Sequence, residues 1–363
     1  MASGSQPEAP GPGWWWAPVR VFFLTRLVLL PLGAYVSQAF PWERSMLASH
    51  PTCWIRWDSF FYLSIADSGY QFEPGMRCNA AFFPGYPALV CGLDRLLGDL
   101  PLAALLVSHL AFLGALVLFY RFHWESGGGR TAAEQSLWYL CLFPSSFIFC
   151  AAYSESLFLL TAVGALYAAQ RQRWDWAVAA AIWASATRPT GLVVALAVVL
   201  EWRGRNWRQA PLLLLAPLGL VAVMGLQLVS FGHATGFMET QAAWGRGGGL
   251  LQALGESWRV LRQSPASPGL YSLPNLLNLL TWLGGMVLSW RVFRRFGWIL
   301  ALYCVLQLVI PASTGSLMSM TRFVLTAFPL FWVLGNYERT LMAVFGGLQV
   351  LLLTMWTNGF FVL

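Results

Sequence analysis

Eleven apolar runs succeed one another along this chain, near residues 17–40, 101–122, 136–152, 155–170, 174–187, 190–202, 211–231, 269–290, 297–313, 322–336 and 340–361. A perpendicular membrane-spanning helix needs about 20 predominantly apolar residues, so the longer runs span alone and the shorter ones jointly with a neighbour. Charged residues are only 10% of the sequence, against about 25% in soluble domains, and that leaves too little polar surface for an aqueous shell. The pattern predicts an all-α polytopic membrane protein with about eleven transmembrane helices, forming a single transmembrane domain over 1–363.

All 22 basic residues are arginine, a bias that fits GC-rich coding and a prokaryotic source, and their placement speaks for topology rather than for nucleic acid. With the N-terminus inside, the inner connections hold Arg20, Arg121, Arg130, Arg171, Arg173, Arg203, Arg205, Arg208, Arg291, Arg294, Arg295 and Arg339. The longer outer connections hold only Arg44, Arg56, Arg77, Arg95, Arg246, Arg259 and Arg262, so the positive-inside bias is satisfied. This orientation requires 83–98 not to cross. That stretch is short, opens with Pro84, Gly85 and Pro87, and carries Asp94 and Arg95, which suits an amphipathic helix lying on the outer surface.

In 56–70, Trp57, Phe60, Phe61 and Ser64 fall at helical spacing, with Asp58, Asp67 and Ser68 as the polar side. Residues 41–100 are therefore expected to form one external loop with two interfacial helices, and 232–268 a second external loop with a Gly-rich turn at 247–249. Met1–Gly13 lacks the basic stretch of a signal peptide, and residues 1–16 are expected to be a disordered cytoplasmic tail. No repeat of 20–50 residues and no inverted half is visible. The six cysteines have no CxxC spacing; Cys53 and Cys78 share the first external loop, where an oxidising compartment would allow a disulfide.

Ionisable groups within or bordering membrane helices are costly and are functional candidates by default. Near the expected outer face these are Asp58, Asp67, Glu155, Arg188, His233 and Arg322. Asp58 and Glu155 also suit plain structural roles, as a helix cap and as the polar turn of a hairpin. Arg188-Pro189 interrupts an apolar region, so 174–187 and 190–202 become two short helices meeting at membrane depth, an arrangement that lines cavities. Snorkelling is the alternative for Arg188 and Arg322, a polar loop contact for His233, and interfacial anchoring for Trp244. Two arginines and two carboxylates facing one vestibule fit a phosphate-bearing lipid and a proton-abstracting base.

Several segments carry a family resemblance: Arg56-Trp57-Asp58 through Gly69-Tyr70, Asn79 to Pro87, Tyr153-Ser154-Glu155-Ser156-Leu157-Phe158, Thr187-Arg188 with Gly191, and Thr321-Arg322-Phe323. In order and spacing they resemble the PIG-V type of GPI mannosyltransferase and its prokaryotic relatives, and more broadly the GT-C superfamily. The resemblance implies a GT-C-like bundle and an inverting transferase that moves a sugar, mannose in the family, from a polyprenyl-phosphate donor to a glycolipid or glycan acceptor. It implies Asp58 as general base and Glu155 as a second carboxylate near acceptor or sugar. Arg188, Arg322 and His233 are candidates for the donor phosphate, and Trp57, Tyr62, Tyr153, Gln241 and Trp244 for the sugar and acceptor. The site would open to the outer or luminal face, of a plasma membrane in a prokaryote or the endoplasmic reticulum in a eukaryote.

No carboxylate or histidine cluster has metal-ligand spacing, so no cofactor is expected and a divalent metal, used by other branches of the superfamily, is not expected either. Beyond donor, acceptor and membrane lipid, the sequence implies no partner and leaves the oligomeric state open. The rival reading from another class is a transporter or flippase for an anionic lipid-linked sugar, since arginine-lined cavities among broken helices also serve translocation.

Overall fold

The computed structural model describes residues 13–39, 52–202, 209–263 and 272–362. The described residues are helical with no β-strand. Helix α1 (Trp16–Ala39) begins inside the stretch expected to be disordered; the rest of that tail, 1–12, lies outside the described residues, as do 41–51, Arg44, Arg203, Arg205, Arg208 and 264–268.

Two helices do fall in the first long loop, α2 (Asp58–Ser68) and α3 (Gly85–Leu97). The polarity of α2 differs from expectation: Asp58 is buried with Ser59, Tyr62 and Leu63, while Phe60, Phe61 and Ser64 are only half-buried. Helix packing against α3 and the loop, rather than an apolar stripe, decides its inward face.

Asp99 caps α4 (Leu100–His123), accepting from the Leu102 N–H at 3.0 Å. α4 runs through a π-helical turn, Trp124–Gly128, where Gly127 has φ 87°, into α5 (Gly129–Leu142). α5 ends early relative to the run 136–152 because Pro144 drives Phe143 into an extended conformation; a short 3-10 turn, Ser146–Cys150, follows.

The central helix is α6 (Glu155–Gln170), buried along most of its length against α4 and against α7 (Trp174–Thr187) and α8 (Gly191–Trp202). Ala162, Gly164 and Ala165 on α6 and Ala111, Gly114 and Ala115 on α4 keep both helices slim, which permits close backbone approach.

Beyond α9 (Ala210–Leu213), Pro217 precedes α10 (Leu218–Phe231), and Gly232 at φ 82° ends it. The chain then bends by 80° into α11 (Gly236–Ala243). Within the expected second external loop, 232–263 holds both α11 and a strongly amphipathic α12 (Leu250–Gln263). The long α13 (Ser272–Phe296) leads to α14 (Trp298–Ala312). The run 322–336 is not one helix: α15 (Met320–Phe323), a 3-10 turn at Val324–Thr326 and α16 (Pro329–Leu334) break it at Pro329, and nearly every residue is buried in protein. α17 (Arg339–Thr357) ends the described helices.

By length and composition, four helical stretches among the described residues are able to cross a membrane: Trp16–Ala39, the continuous Leu100–Leu142, Leu273–Phe296 and Arg339–Thr357; the bent pair α10 and α11 makes a fifth. Glu155–Gln170, Gly191–Trp202 and Trp298–Ala312 are shorter apolar helices. Proline and glycine stand at the ends of several of these shorter helices, as at Pro189, Gly297 and Pro311. The chain is an integral membrane protein.

The bundle has two chemically distinct ends. At one, Glu125 accepts from Arg121 Nε at 2.8 Å and from Arg171 Nη1 at 3.0 Å, and Arg20 pairs with Glu134. The 16 residues of α6 then carry the chain about 24 Å to the other end, where Glu155 begins the helix.

Candidate functional site

Four of the expected side chains meet at that second end. Asp58 Oδ2 accepts from Arg322 Nη1 at 2.6 Å, and Glu155 Oε1 accepts from Arg188 Nη1 at 2.5 Å while lying 3.2 Å from Arg322 Nε. The cluster is a chain of alternating charge, Asp58, Arg322, Glu155, Arg188, drawn from α2, α15, α6 and the α7–α8 turn. Asp58 is the first residue of α2, with Trp57 in the N-cap position, and its Oδ2 is held by Arg322, so the cap reading does not hold.

Backbone strain brackets the pair. Only three non-glycine residues among those described have positive φ, and two of them precede the ion-paired residues: Trp57 (φ 53°) directly before Asp58, and Ser319 (φ 70°) as the N-cap of the helix bearing Arg322. Such conformations persist where the surroundings enforce them, and they concentrate at functional sites.

The supports come from around the bundle. The Asp58 N–H donates to Tyr153 Oη at 3.2 Å, and Tyr62 Oη lies 2.7 Å from Ser154 Oγ. Ser145 Oγ donates to the Thr321 carbonyl at 2.6 Å, and the Thr321 N–H donates to Asn278 Oδ1 at 2.9 Å, so α13 and the α5–α6 connection together fix α15.

Pro189 forces Arg188 into extended geometry (φ −152°, ψ 151°), which ends α7 and frees the guanidinium to turn towards Glu155. Gly191 then returns the chain so tightly that a Cβ there would lie 2.3 Å from the Ala184 carbonyl group. Gly191→Ala is therefore expected to destabilise the protein by about 1–3 kcal/mol, visible as a lower thermal-unfolding midpoint in detergent; an unchanged midpoint would show that the turn is not this tight.

The cluster borders a cavity of about 530 Å³, within the range of small-molecule sites. Asp58, Arg188 and Arg322 are in its wall with Tyr62, Gln241, Trp244 and a third arginine, Arg246; Phe82, Phe83, Phe237 and Ile310 supply apolar surface. Glu155 is not in the wall. It is 1% exposed and lies behind the two arginines, which makes it their counter-charge rather than a group facing acceptor or sugar.

Trp57 and Tyr153 are also outside the wall. Trp57 meets Phe361 edge-on at 5.3 Å, and Tyr153 supports the Asp58 backbone. Arg77 lies 5.0 Å over the Trp244 ring, while Phe61 and Phe82 meet that ring edge-on. His233 is not brought to the cluster. The bend at Gly232 sends α11, with Gln241 and Trp244, towards the cavity and leaves His233 half-exposed against Phe72, its Nδ1 3.7 Å from Glu239.

The tract Asn79 to Pro87 is mainly scaffold. Asn79 Nδ2 donates to Ser64 Oγ and the Gly69 carbonyl, both at 3.0 Å, and its Oδ1 accepts from the Gln71 N–H at 2.7 Å. Cys53 and Cys78 are free thiols, and the Cys78 sulfur lies 3.5 Å from Thr240 Oγ1. Among the described residues no three His, Cys, Asp or Glu side chains gather as a metal-binding group.

Arg246 carried no functional expectation beyond topology. Its one sequence signal is its setting, an arginine within the run Gly245-Arg246-Gly247-Gly248-Gly249.

Comparison with known proteins fits this geometry. Residues 34–210 match the family model described as Mannosyltransferase (PIG-V). GPI alpha-1,6-mannosyltransferase 2 of Cricetulus griseus is 34% identical over 151 residues, covering 38% of this chain and 29% of the relative. GPI mannosyltransferase 2 of Cryptococcus neoformans is 27% identical over 200 residues, covering 48% and 45%. The matched regions thus span less than half of these curated relatives. The crystal structure of ArnT from Cupriavidus metallidurans bound to undecaprenyl phosphate superposes with a TM-score of 0.52 at 16% identity, over 91% of this chain and 62% of that one, and so shares the fold. By sequence over residues 34–210 and by fold over most of its length, the chain is similar to the PIG-V mannosyltransferases and to ArnT.

Proposed function

We propose that the protein is an inverting glycosyltransferase that moves a sugar, mannose by analogy with its relatives, from a polyprenyl-phosphate donor to a glycolipid or glycan acceptor, forming an α-linkage on the outer face of the membrane. The observation that carries this reading is a carboxylate, Asp58, in the wall of a cavity whose other charged groups are arginines. A transferase of this kind needs a base on one side of the reacting carbon and a cation for the leaving phosphate on the other.

The step balances as a single displacement. Asp58 accepts the acceptor hydroxyl proton as oxygen bonds to the anomeric carbon, and the bond from that carbon to the phosphate oxygen breaks, releasing polyprenyl phosphate. Arginine neutralises the leaving group within a cavity largely walled by protein, where charge stabilisation outweighs that in water. Arg322 links the two halves of the reaction: with Asp58 as its partner it masks the base, and a donor phosphate competes for the same guanidinium. In the membrane, α2 and α3 lie at the outer surface, and the shorter apolar helices complete a bundle of about eleven crossings. The undecaprenyl phosphate named with ArnT supports a lipid-phosphate donor.

The test is to incubate the purified protein with labelled polyprenyl-phosphate mannose and a lipid extract of its membrane, and to identify products by mass. A labelled glycolipid or glycan that appears only with active protein is expected. Label that stays on intact donor, with the donor moved between leaflets, would favour the flippase reading instead. Arg322→Gln is expected to weaken donor binding roughly tenfold or more, as loss of a charge-assisted bond does; unchanged donor affinity would remove Arg322 from the phosphate site.

A further inference from the structure

The charge balance at the cavity leaves one arginine over. Arg188 and Arg322 share Glu155 and Asp58 as counter-ions, but Arg246 pairs with no carboxylate among the described residues. Among the described residues its guanidinium makes one hydrogen bond, a long one, Nη2 to the Met318 carbonyl at 3.4 Å. The three guanidinium groups surround a single ring: Arg188 and Arg246 each lie 5.3 Å from the Phe323 centroid, and Arg322 lies 5.5 Å from it. Arg246 is therefore held beside two like charges, in the wall of the same cavity as Asp58, with nothing negative of its own.

A charge held in protein without a partner is costly, and such positions are occupied where a ligand supplies the missing charge. Burial and the neighbouring Arg322 push the Arg246 pKa down to about 10, which leaves the group cationic at neutral pH and ready to gain from an anion. The local chain suits an approaching phosphate. Arg246 is flanked by Gly245 and Gly247–Gly249, and Gly248 packs so closely on Gly315 that a Cβ at Gly315 would lie 2.8 Å from the Gly248 backbone. The Gly248 N–H also donates to the Thr314 carbonyl at 3.2 Å, which ties the arginine's loop to the end of α14. The Phe323 face keeps the guanidinium plane in place from below.

We infer that Arg246 is the primary seat of the lipid-linked donor's phosphate, with Arg188 and Arg322 as flanking groups already partly neutralised by Glu155 and Asp58. This rests on the transferase reading above and assigns the phosphate site within it. A guanidinium presents the paired donors that a phosphate accepts, and Arg246 is the one at this cavity that can do so without first giving up a carboxylate.

The experiment compares binding of undecaprenyl phosphate, undecaprenol and inorganic phosphate to the full-length protein in nanodiscs, for wild type, Arg246→Gln and Arg246→Lys. Wild type is expected to prefer undecaprenyl phosphate over undecaprenol by roughly tenfold or more. Arg246→Gln is expected to lose most of that preference while binding undecaprenol as before, and Arg246→Lys to retain part of it. Undecaprenol binding at the wild-type level also shows that the variant is folded.

If Arg246→Gln keeps the full preference for the phosphorylated lipid, the assignment is overturned while the transferase reading stands. If wild type shows no preference for the phosphorylated lipid, the donor reading fails and this inference fails with it. If inorganic phosphate displaces the lipid at equal concentration, the seat serves free phosphate and the lipid-linked assignment is overturned.

Discussion

Asp58→Asn is expected to reduce sugar transfer by about 10²- to 10⁴-fold, the usual contribution of a positioned general base, while donor affinity stays equal or rises. The substitution is nearly isosteric but cannot take up the acceptor proton. It also removes the charge that holds Arg322 Nη1 at 2.6 Å, so Arg322 becomes freer to meet a donor phosphate. These opposite expectations for rate and affinity make the variant informative. A carboxylate that merely braced the fold would lose both together, and one with no role would lose neither. The measurements are initial rates with labelled donor and a dissociation constant for undecaprenyl phosphate. Asp67→Asn, on an exposed carboxylate near the far end of α2, is the control and is expected to behave as wild type. Wild-type turnover in Asp58→Asn would remove Asp58 from the role of base.

The parts of this site that were legible in the sequence are those fixed by local rules. Arg188 stands out because proline follows it, and the same proline sets the extended backbone that aims it at Glu155. Asp58 and Glu155 stand out because a carboxylate beside an apolar run needs a reason to be there. What was not legible depends on packing between distant segments. Glu155 reads as a group facing substrate until α6 is seen to bury it behind two arginines.

Arg246 has no periodicity to mark it, because a glycine run predicts only a turn, and its proximity to Phe323 joins residues far apart in sequence. Residues 322–336 read as a spanning helix because apolarity alone does not distinguish burial in protein from exposure to lipid; Pro329 was the available warning. α12 was recoverable, since Leu250, Leu254 and Trp258 repeat at four-residue spacing, but the adjacent glycines drew the segment into a loop.

Glu155→Gln is expected to be the most destabilising single change at the site, at about 3–5 kcal/mol, because it removes one partner from a buried charge network and leaves the others uncompensated. Glu155 is 1% exposed, and its Oε1 serves both Arg188 and Arg322. Without it, among the described residues, Asp58 remains as the one carboxylate at the cluster, paired with Arg322, and Arg188 joins Arg246 in having no carboxylate partner. The readout is the thermal-unfolding midpoint in detergent, compared with Asp58→Asn, which is expected to lose less because the Asp58 side chain is 11% exposed and borders the cavity. Arg188→Gln added to Glu155→Gln is expected to recover part of the loss, since it removes one stranded cation; contacting pairs of this kind couple by about 0.5–3 kcal/mol. Transfer should fall in Glu155→Gln as well, but through misplaced arginines, so donor affinity and turnover decline together. A Glu155→Gln protein that melts like wild type and loses only turnover would reverse this assignment and put Glu155 in contact with the reacting sugar.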